Sequence, residues 1–352
     1  MLGGKTRVLV VDDSAFMRFT VSHRLSREPD IEVVGLASNG LEAVEQVEAL
    51  RPDVVTLDVE MPQMDGLAAL RKIMSSCPTP VVMLSTLTQQ GAAVTVEALT
   101  IGAVDYVAKP SQSTQVHLVL DELCRKVRQA ATARVRPYRP IAGLSHRRQG
   151  AGGGPARDLV VIGSSTGGPT ALREVLSRLP ANLGAAVLVV QHMPAGFTRS
   201  LAERLDGLSA LPVAEAAAGD RLEQGRVLIA PGGRHLTLVG GTTVCLMEGP
   251  PVNGVRPSVD VTLSSVAAAF RHRALAVILT GMGHDGRDGV RALKQFGGRA
   301  LVQDEATSTV FGMPRSVIAA GLADEVAPLD RIADRITKML SSTAVQSRRG
   351  GA

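Results

Sequence analysis

Tryptophan is absent from this chain and aromatic residues make up only 2% of it, so any core must be built from aliphatic side chains. Cysteine is also scarce. Cys77, Cys124 and Cys245 are too few and too scattered for a disulfide framework or a zinc site, and a reducing compartment suits them. No uncharged apolar stretch approaches the ~20 residues that a membrane helix needs. The first apolar run meets Asp12-Asp13, which a secretory leader would not do. These absences predict a cytoplasmic protein with no membrane insertion. Acidic residues are missing from 125–157, where nine basic residues fall: Arg125, Lys126, Arg128, Arg134, Arg136, Arg139, Arg147, Arg148 and Arg157. They exceed the whole net charge of +5, so the remainder of the chain is net acidic. With Tyr138 alone there for base stacking, the segment reads as a solvated linker rather than a nucleic-acid arm. Docking to an acidic surface is its other reading.

What the chain does contain is aliphatic sequence in short runs, within 352 residues that are 45% hydrophobic. That length predicts two domains, and such runs favour parallel strands covered by helices on both faces. Residues 1–125 alternate strand and helix five times, with strands at 7–11, 32–37, 54–58, 81–85 and 105–108. Helices fall between them at 15–26, 41–50 and 67–75. The spacing is that of a doubly wound parallel sheet. From 126 to 157 the chain turns Pro-, Gly- and Arg-rich, as a flexible linker does. Alternation resumes over 158–345, with strands at 159–163, 186–191, 226–230, 274–280 and 299–303. Helices are expected to begin near Gly168, Gly196, Ser258 and Gly286, and a hairpin is expected at 235–248 around Gly240-Gly241. A last helix at 330–340 precedes a polar end read as a disordered tail over 346–352. The fold class is therefore α/β: two doubly wound parallel-sheet domains joined by a flexible linker.

In open α/β sheets, functional groups gather at the carboxyl ends of the strands. Asp12, Asp13, Asp58, Ser85 and Lys109 all fall at such ends. Three carboxylates converging there repel one another unless a hard cation binds, and Mg2+ suits an oxygen-only set. With its charge so screened, Asp58 can accept a phosphoryl group, Ser85 can bond the phosphoryl oxygens, and Lys109 supplies a counter-charge. Helix capping by Asp12 and Asp13 is the plainer reading, but it accounts for neither Asp58 nor Lys109.

The segments Val10-Val11-Asp12-Asp13-Ser14, Asp58 with Met61-Pro62-Gln63-Met64-Asp65-Gly66, Ser85-Thr86, and Gly102 through Pro110 resemble the receiver domains of two-component response regulators. The resemblance spans 1–125. It implies a flavodoxin-like fold, Asp58 as phospho-acceptor, and Asp12, Asp13 and Asp58 at the metal. Ser85 (or its neighbour Thr86), Tyr106 and Lys109 would then be the switch residues, and a histidine kinase the phosphodonor.

In the second half, Gly163-Ser164-Ser165-Thr166-Gly167 fits G-x-S-x-G with Ser165 at its centre, on a strand-to-helix turn. Alone this is weak, since glycine-rich turns also bind phosphate or cap helices. The neighbouring strands strengthen it. The 186–191 run ends at His192, and the 274–280 run leads into Gly281-Met282-Gly283-His284-Asp285-Gly286. One sheet edge can thus supply nucleophile, base and orienting acid as Ser165, His192 and Asp285. His284 is a competing base. The Ser–His–Asp order differs from that of the α/β-hydrolases.

Ile162 through Pro169, Gln191 through Ser200, Ile229-Ala230-Pro231-Gly232, Arg256 through Asp260, Leu279 through Gly286 and Phe311-Gly312-Met313-Pro314 resemble the chemotaxis protein-glutamate methylesterases, which also deamidate protein glutamine. The resemblance implies the triad Ser165, His192 and Asp285, with Thr166 and Met282 shaping its surroundings. It also implies methyl-accepting chemoreceptors as substrate, a hydrolase activated by receiver phosphorylation, and a role in chemotactic adaptation. Mg2+ serves the receiver, and no cofactor is called for by the ester chemistry. The rival reading is a response regulator whose output domain binds without catalysing.

Overall fold

The structure, a computed structural model, describes residues 4–85, 88–109, 116–138 and 154–349. The glycine-rich stretch of the expected linker, Thr86, Pro110 and the last three residues lie outside them. The chain divides into two units near residue 140.

The first unit runs β1 (Thr6–Val11), α1 (Ala15–Ser26), β2 (Ile31–Ala37), α2 (Gly40–Leu50), β3 (Val54–Asp58), α3 (Gly66–Ser76), β4 (Val81–Ser85), α4 (Gln89–Ile101), β5 (Asp105–Ala108) and α5 (Val116–Ala131). All five strands are parallel, in the order β2-β1-β3-β4-β5. Helices cover both faces, so the strands read as unbroken apolar runs, and Val8, Val10, Val54, Val82 and Val107 are fully buried. Polar caps start the helices. Ser14 Oγ accepts from Met17 N, Asn39 Oδ1 from Leu41 N and Glu42 N, and Asp65 Oδ1 from Ala68 N. Each such cap is worth about 1 kcal/mol. The register sets Val11 beside Leu57 and Asp58 beside Leu84, so Asp12, Asp58 and Ser85 share one sheet edge.

The second unit continues β6 (Asp158–Ser164), α6 (Gly168–Leu176), β7 (Ala185–Gln191), α7 (Phe197–Asp206), β8 (Val213–Glu215), β9 (Val227–Ile229), β10 (His235–Val239), β11 (Thr243–Met247), α8 (Val259–Phe270), β12 (Ala274–Ile278), α9 (Arg287–Gln295), β13 (Arg299–Gln303), α10 (Met313–Ala319), β14 (Glu325–Ala327) and α11 (Ile332–Arg349). Seven parallel strands lie in the order β14-β13-β12-β6-β7-β9-β8, and β10 and β11 form a separate antiparallel pair. From β6 the chain first builds outward through β7, then returns to β12 on the opposite side. The strand order therefore reverses between β6 and β12, which is where open α/β sheets open a crevice. The core is aliphatic, drawn from Val161, Leu188, Leu228, Val259, Leu263 and Ile278 with Phe270 as its aromatic member.

Both sheets and the hairpin appear where the sequence predicts them, with three departures. The linker does not begin at 126. Helix α5 runs to Ala131, because Val127 and Ala130 bury completely against the sheet. Of the supposed linker cations, Arg128 pairs with Glu28 and Asp30 and Lys126 with Asp105 and Glu122. At its other end Ala156 N bonds Leu222 O, which ties the chain to the second unit before β6. The end of the chain, read as a tail from 346, is helical through Arg349, since no glycine or proline interrupts 332–349. The edge strands β8 and β14 were not foreseen, because three residues cannot display a period of two.

Candidate functional site

At the carboxyl edge of the first sheet, the ligand oxygens of Asp12, Asp13 and Asp58 lie within 4.8 Å of one another. Lys109 follows β5, held by its N–H on Ser85 O at 2.7 Å. Its ammonium lies 2.7 Å from Asp58 Oδ2 and 3.0 Å from Asp12 Oδ2. Burial pushes the Asp58 carboxyl up to about 6, against the pull of Lys109. Burial likewise works against the Lys109 charge, but Asp58 and Asp12 hold its pKa above the ordinary lysine value. One ammonium thus balances two buried carboxylates, and with exposed Asp13 beside them the oxygen donors suit a hard divalent cation. A cleft lined by Asp13, Asp58, Met61, Ser85 and Lys109 opens at this point. Ser85 Oγ accepts from Thr95 Oγ1 at 2.6 Å. Tyr106 is buried with Lys126 Nζ 4.9 Å from its ring centroid.

In the second unit, Ser165, His192 and Asp285 follow β6, β7 and β12, three adjacent strands spanning the point where the order reverses. Ser165 sits half-buried on the turn into α6. Its N–H bonds Thr280 O at 3.0 Å, and its carbonyl accepts from Gly168 N at 2.8 Å and Gln191 Nε2 at 2.9 Å. Gln191 is a residue that the sequence reading missed. Its Oε1 also accepts from Ser164 Oγ at 2.7 Å, so a single buried amide clamps the turn to the end of β7. Thr280 Oγ1 donates to Thr166 O at 3.0 Å from the other side. Met282 stands exposed next to Gly281. His284 is exposed, whereas His192 is largely buried and its Nε2 lies 2.8 Å from Asp285 Oδ2.

Asp285 is the most heavily bonded group of this edge. Besides His192 it accepts from Ser258 Oγ at 2.7 Å, Val259 N at 2.6 Å and Asp260 N at 3.1 Å, and so lies on the N-terminus of α8. Burial alone would raise its pKa, but the bonds from His192, Ser258 and Val259 outweigh that and hold the carboxyl well below the usual range. An ionised carboxylate only accepts hydrogen bonds. The imidazole proton must then sit on Nε2, which leaves the Nδ1 lone pair available as a base. Ser165 Oγ makes no direct hydrogen bond to His192 among the described residues, and apo sites commonly close such bonds only around substrate. Ser258 was foreseen as a helix start. Its bond to Asp285 spans 27 residues and carries no local signature.

Gly281 brings the serine turn and the segment 281–286 into contact. A Cβ built there would lie 2.4 Å from Met313 Sδ and 2.8 Å from Ser165 Cβ, both impossible without movement. Gly281→Ala is therefore expected to displace Ser165 and lower kcat by at least roughly 100-fold, the scale on which ångström misplacements act. Steady-state hydrolysis by the folded variant checks this.

The chain is similar throughout its length to proteins of one kind. The family model described as CheB methylesterase matches residues 160–336, and that of the response regulator receiver domain matches 8–121. A protein-glutamate methylesterase/protein-glutamine glutaminase of Symbiobacterium thermophilum is 52% identical, covering 94% of this chain and 96% of the relative. One of the same name from Pyrococcus abyssi is 44% identical over 100% of this chain and 96% of its own. The crystal structure of the Thermotoga maritima CheB methylesterase catalytic domain superposes with a TM-score of 0.51 at 46% identity, covering 52% of this chain and 98% of that one. With a receiver sheet and a seven-stranded sheet that carries the serine turn on one polypeptide, the chain belongs to the CheB methylesterase family.

Proposed function

We propose that the chain is a protein-glutamate methylesterase and protein-glutamine glutaminase that acts on methyl-accepting chemoreceptors and is activated by phosphorylation of its receiver. The observation that carries this reading is the His192–Asp285 pair, 2.8 Å apart, on the sheet edge that bears Ser165. Ser165 attacks the side-chain carbonyl of a glutamate methyl ester or a glutamine, while His192 Nδ1 takes the hydroxyl proton. Asp285 stabilises the resulting imidazolium. The proton then passes to the leaving group, which departs as methanol or ammonia, and water hydrolyses the acyl-enzyme to glutamate. Thr166 and Met282 border the reacting group, Met282 by its exposed side chain.

In the receiver, Asp58 accepts the phosphoryl group from a histidine kinase. Asp12, Asp13 and Asp58 would hold Mg2+, which neutralises the charge gathering on the phosphoryl oxygens. Lys109 supplies the remaining positive charge, and Ser85 and Tyr106 respond to the new phosphoryl group. The setting is the cytoplasm, in the adaptation branch of chemotaxis. Among the described residues no helix is long and apolar enough to cross a membrane.

Methanol release from methylated receptor membranes, with and without a small phosphodonor and Mg2+, tests the reading. The unmodified protein should be stimulated. Asp58→Asn should keep the basal rate but lose the stimulation, as should chelation of Mg2+ before the donor is added. Stimulation that survives Asp58→Asn would overturn Asp58 as the acceptor.

A further inference from the structure

Two helix starts beside the triad exchange their caps. Helix α9 begins after Gly286, which has no side chain with which to cap it. Its first N–H groups instead reach back to α8: Asp260 Oδ1 accepts from Gly286 N at 2.9 Å and from Gly289 N at 2.6 Å. In return Asp285, the residue before Gly286, caps α8 through Val259 N and Asp260 N. Each carboxylate thus lies on the positive end of the other's helix. The helices approach so closely at this crossing that a Cβ on Gly289 would fall 2.9 Å from Asp260 Cα.

A third residue ties the two acids together. Asn253 Nδ2 donates to Asp260 Oδ2 at 2.8 Å and to Asp285 Oδ1 at 3.3 Å. Asn253 occupies a tight turn at φ +54°, with Val252 and Val255 bonded across it. Asp260 is 7% exposed and has no part in the chemistry written above. The charged groups facing it are Asp285 from the segment before α9, and Asp288 and Arg287 from α9 itself. Asn253 faces it from the turn before α8. Burial, opposed by the Gly289 N–H and assisted by the charge of Asp285, pushes its carboxyl upward.

We propose that Asp260, bridged by Asn253, is a positioning residue of the hydrolase. It locks the segment that carries Asp285 onto α8, so that Asp285 Oδ2 stays on His192 Nε2. The proposal rests on the triad assigned above. Its physical content is that Asp285 cannot swing without breaking the two N–H bonds that Asp260 accepts from the first turn of α9.

The test compares full-length protein with Asp260→Asn, Asn253→Gly and His192→Gln, measuring kcat and KM on methylated receptor, and Tm. Asn253→Gly removes the bridging amide at a positive φ that glycine adopts without strain. Asp260→Asn should lower kcat by roughly 10- to 100-fold, the usual cost of losing a group that orients a reacting one, with KM nearly unchanged. Asn253→Gly removes the bridge between the two acids and should likewise lower kcat with KM nearly unchanged. Wild-type kcat in Asp260→Asn would overturn the proposal, whatever its Tm, since Asp260 would then be a helix cap alone. If Asp260→Asn does not fold, Asn253→Gly decides: a roughly 10-fold loss supports the proposal and an unchanged kcat overturns it. Activity remaining in His192→Gln would instead sink the triad assignment, whatever Asp260 does.

Discussion

Ser165→Ala in the full-length protein is expected to bring methanol release from methylated receptor to background, a loss of roughly 10^4- to 10^6-fold in kcat, with the melting transition barely changed. The bonds that anchor this residue run through its N–H and its carbonyl rather than its hydroxyl. Removing Oγ therefore removes the proposed nucleophile and little else. Ser164→Ala is the informative contrast. Ser164 is fully buried, with its hydroxyl 2.7 Å from Gln191 Oε1, so its loss strands a buried acceptor at a cost of about 1–3 kcal/mol. Gln191 keeps its bond to Ser165 O, however, and the turn stays anchored through Thr280. Ser164→Ala should thus lose stability while keeping catalysis within roughly 10-fold of wild type. Equal catalytic losses in the two variants would mean that the nucleophile has been misassigned.

Asp285→Asn should cost kcat on the order of 10^4-fold, as amide replacement of a triad acid does, and the site explains why no rotamer rescues it. Donors approach both oxygens of Asp285: Ser258 Oγ and Asp260 N on Oδ1, Val259 N and His192 Nε2 on Oδ2. Whichever way an asparagine points, its NH2 meets another donor. Placed toward the imidazole, it forces the proton onto Nδ1 and abolishes the base. Placed toward α8, it breaks the cap. His192→Gln should be comparably impaired, and combining either change with Ser165→Ala should add little, because groups acting as a unit are strongly non-additive. Multiplicative losses in the double variants, or a larger loss from His284→Gln than from His192→Gln, would contradict the assignment. The carboxylate also carries a stability signature. Its folded pKa is depressed, so its contribution is full above the ordinary aspartate range near ~4 and is lost as pH falls through the folded value. Wild-type protein should lose stability on acidification below about pH 4, whereas Asp285→Asn, lower throughout, should lose less over that interval. Denaturant midpoints measured down the acid range check this.

Much of this was legible in the chain. Parallel strands buried on both faces must be apolar from end to end, so Val8–Val11 and Leu159–Ile162 announced themselves. Strand ends are where an α/β sheet can expose chemistry, so a residue such as Asp58, Ser165 or His192 directly after such a run carried positional information. What escaped was of two kinds. Short edge strands and the continuation of α5 past residue 125 were hidden, because three residues show no period and the end of α5 is masked by the cationic run it belongs to. The supports of the site, Gln191, Asn253, Ser258 and Asp260, were hidden because each acts on a residue 25 to 32 positions away.

Local pattern, repeated, determined the two domains, their α/β class and the residues at the ends of their strands, because burial and periodicity act between near neighbours in the chain. Only the tertiary structure decided which strand ends stand side by side. The order β12-β6-β7 sets Asp285 and His192 on either side of Ser165. The cap that Asp285 forms on α8 then holds its carboxylate 2.8 Å from His192 Nε2. Those hydrogen bonds join groups far apart in sequence, and pairings made only in space leave no local pattern to read.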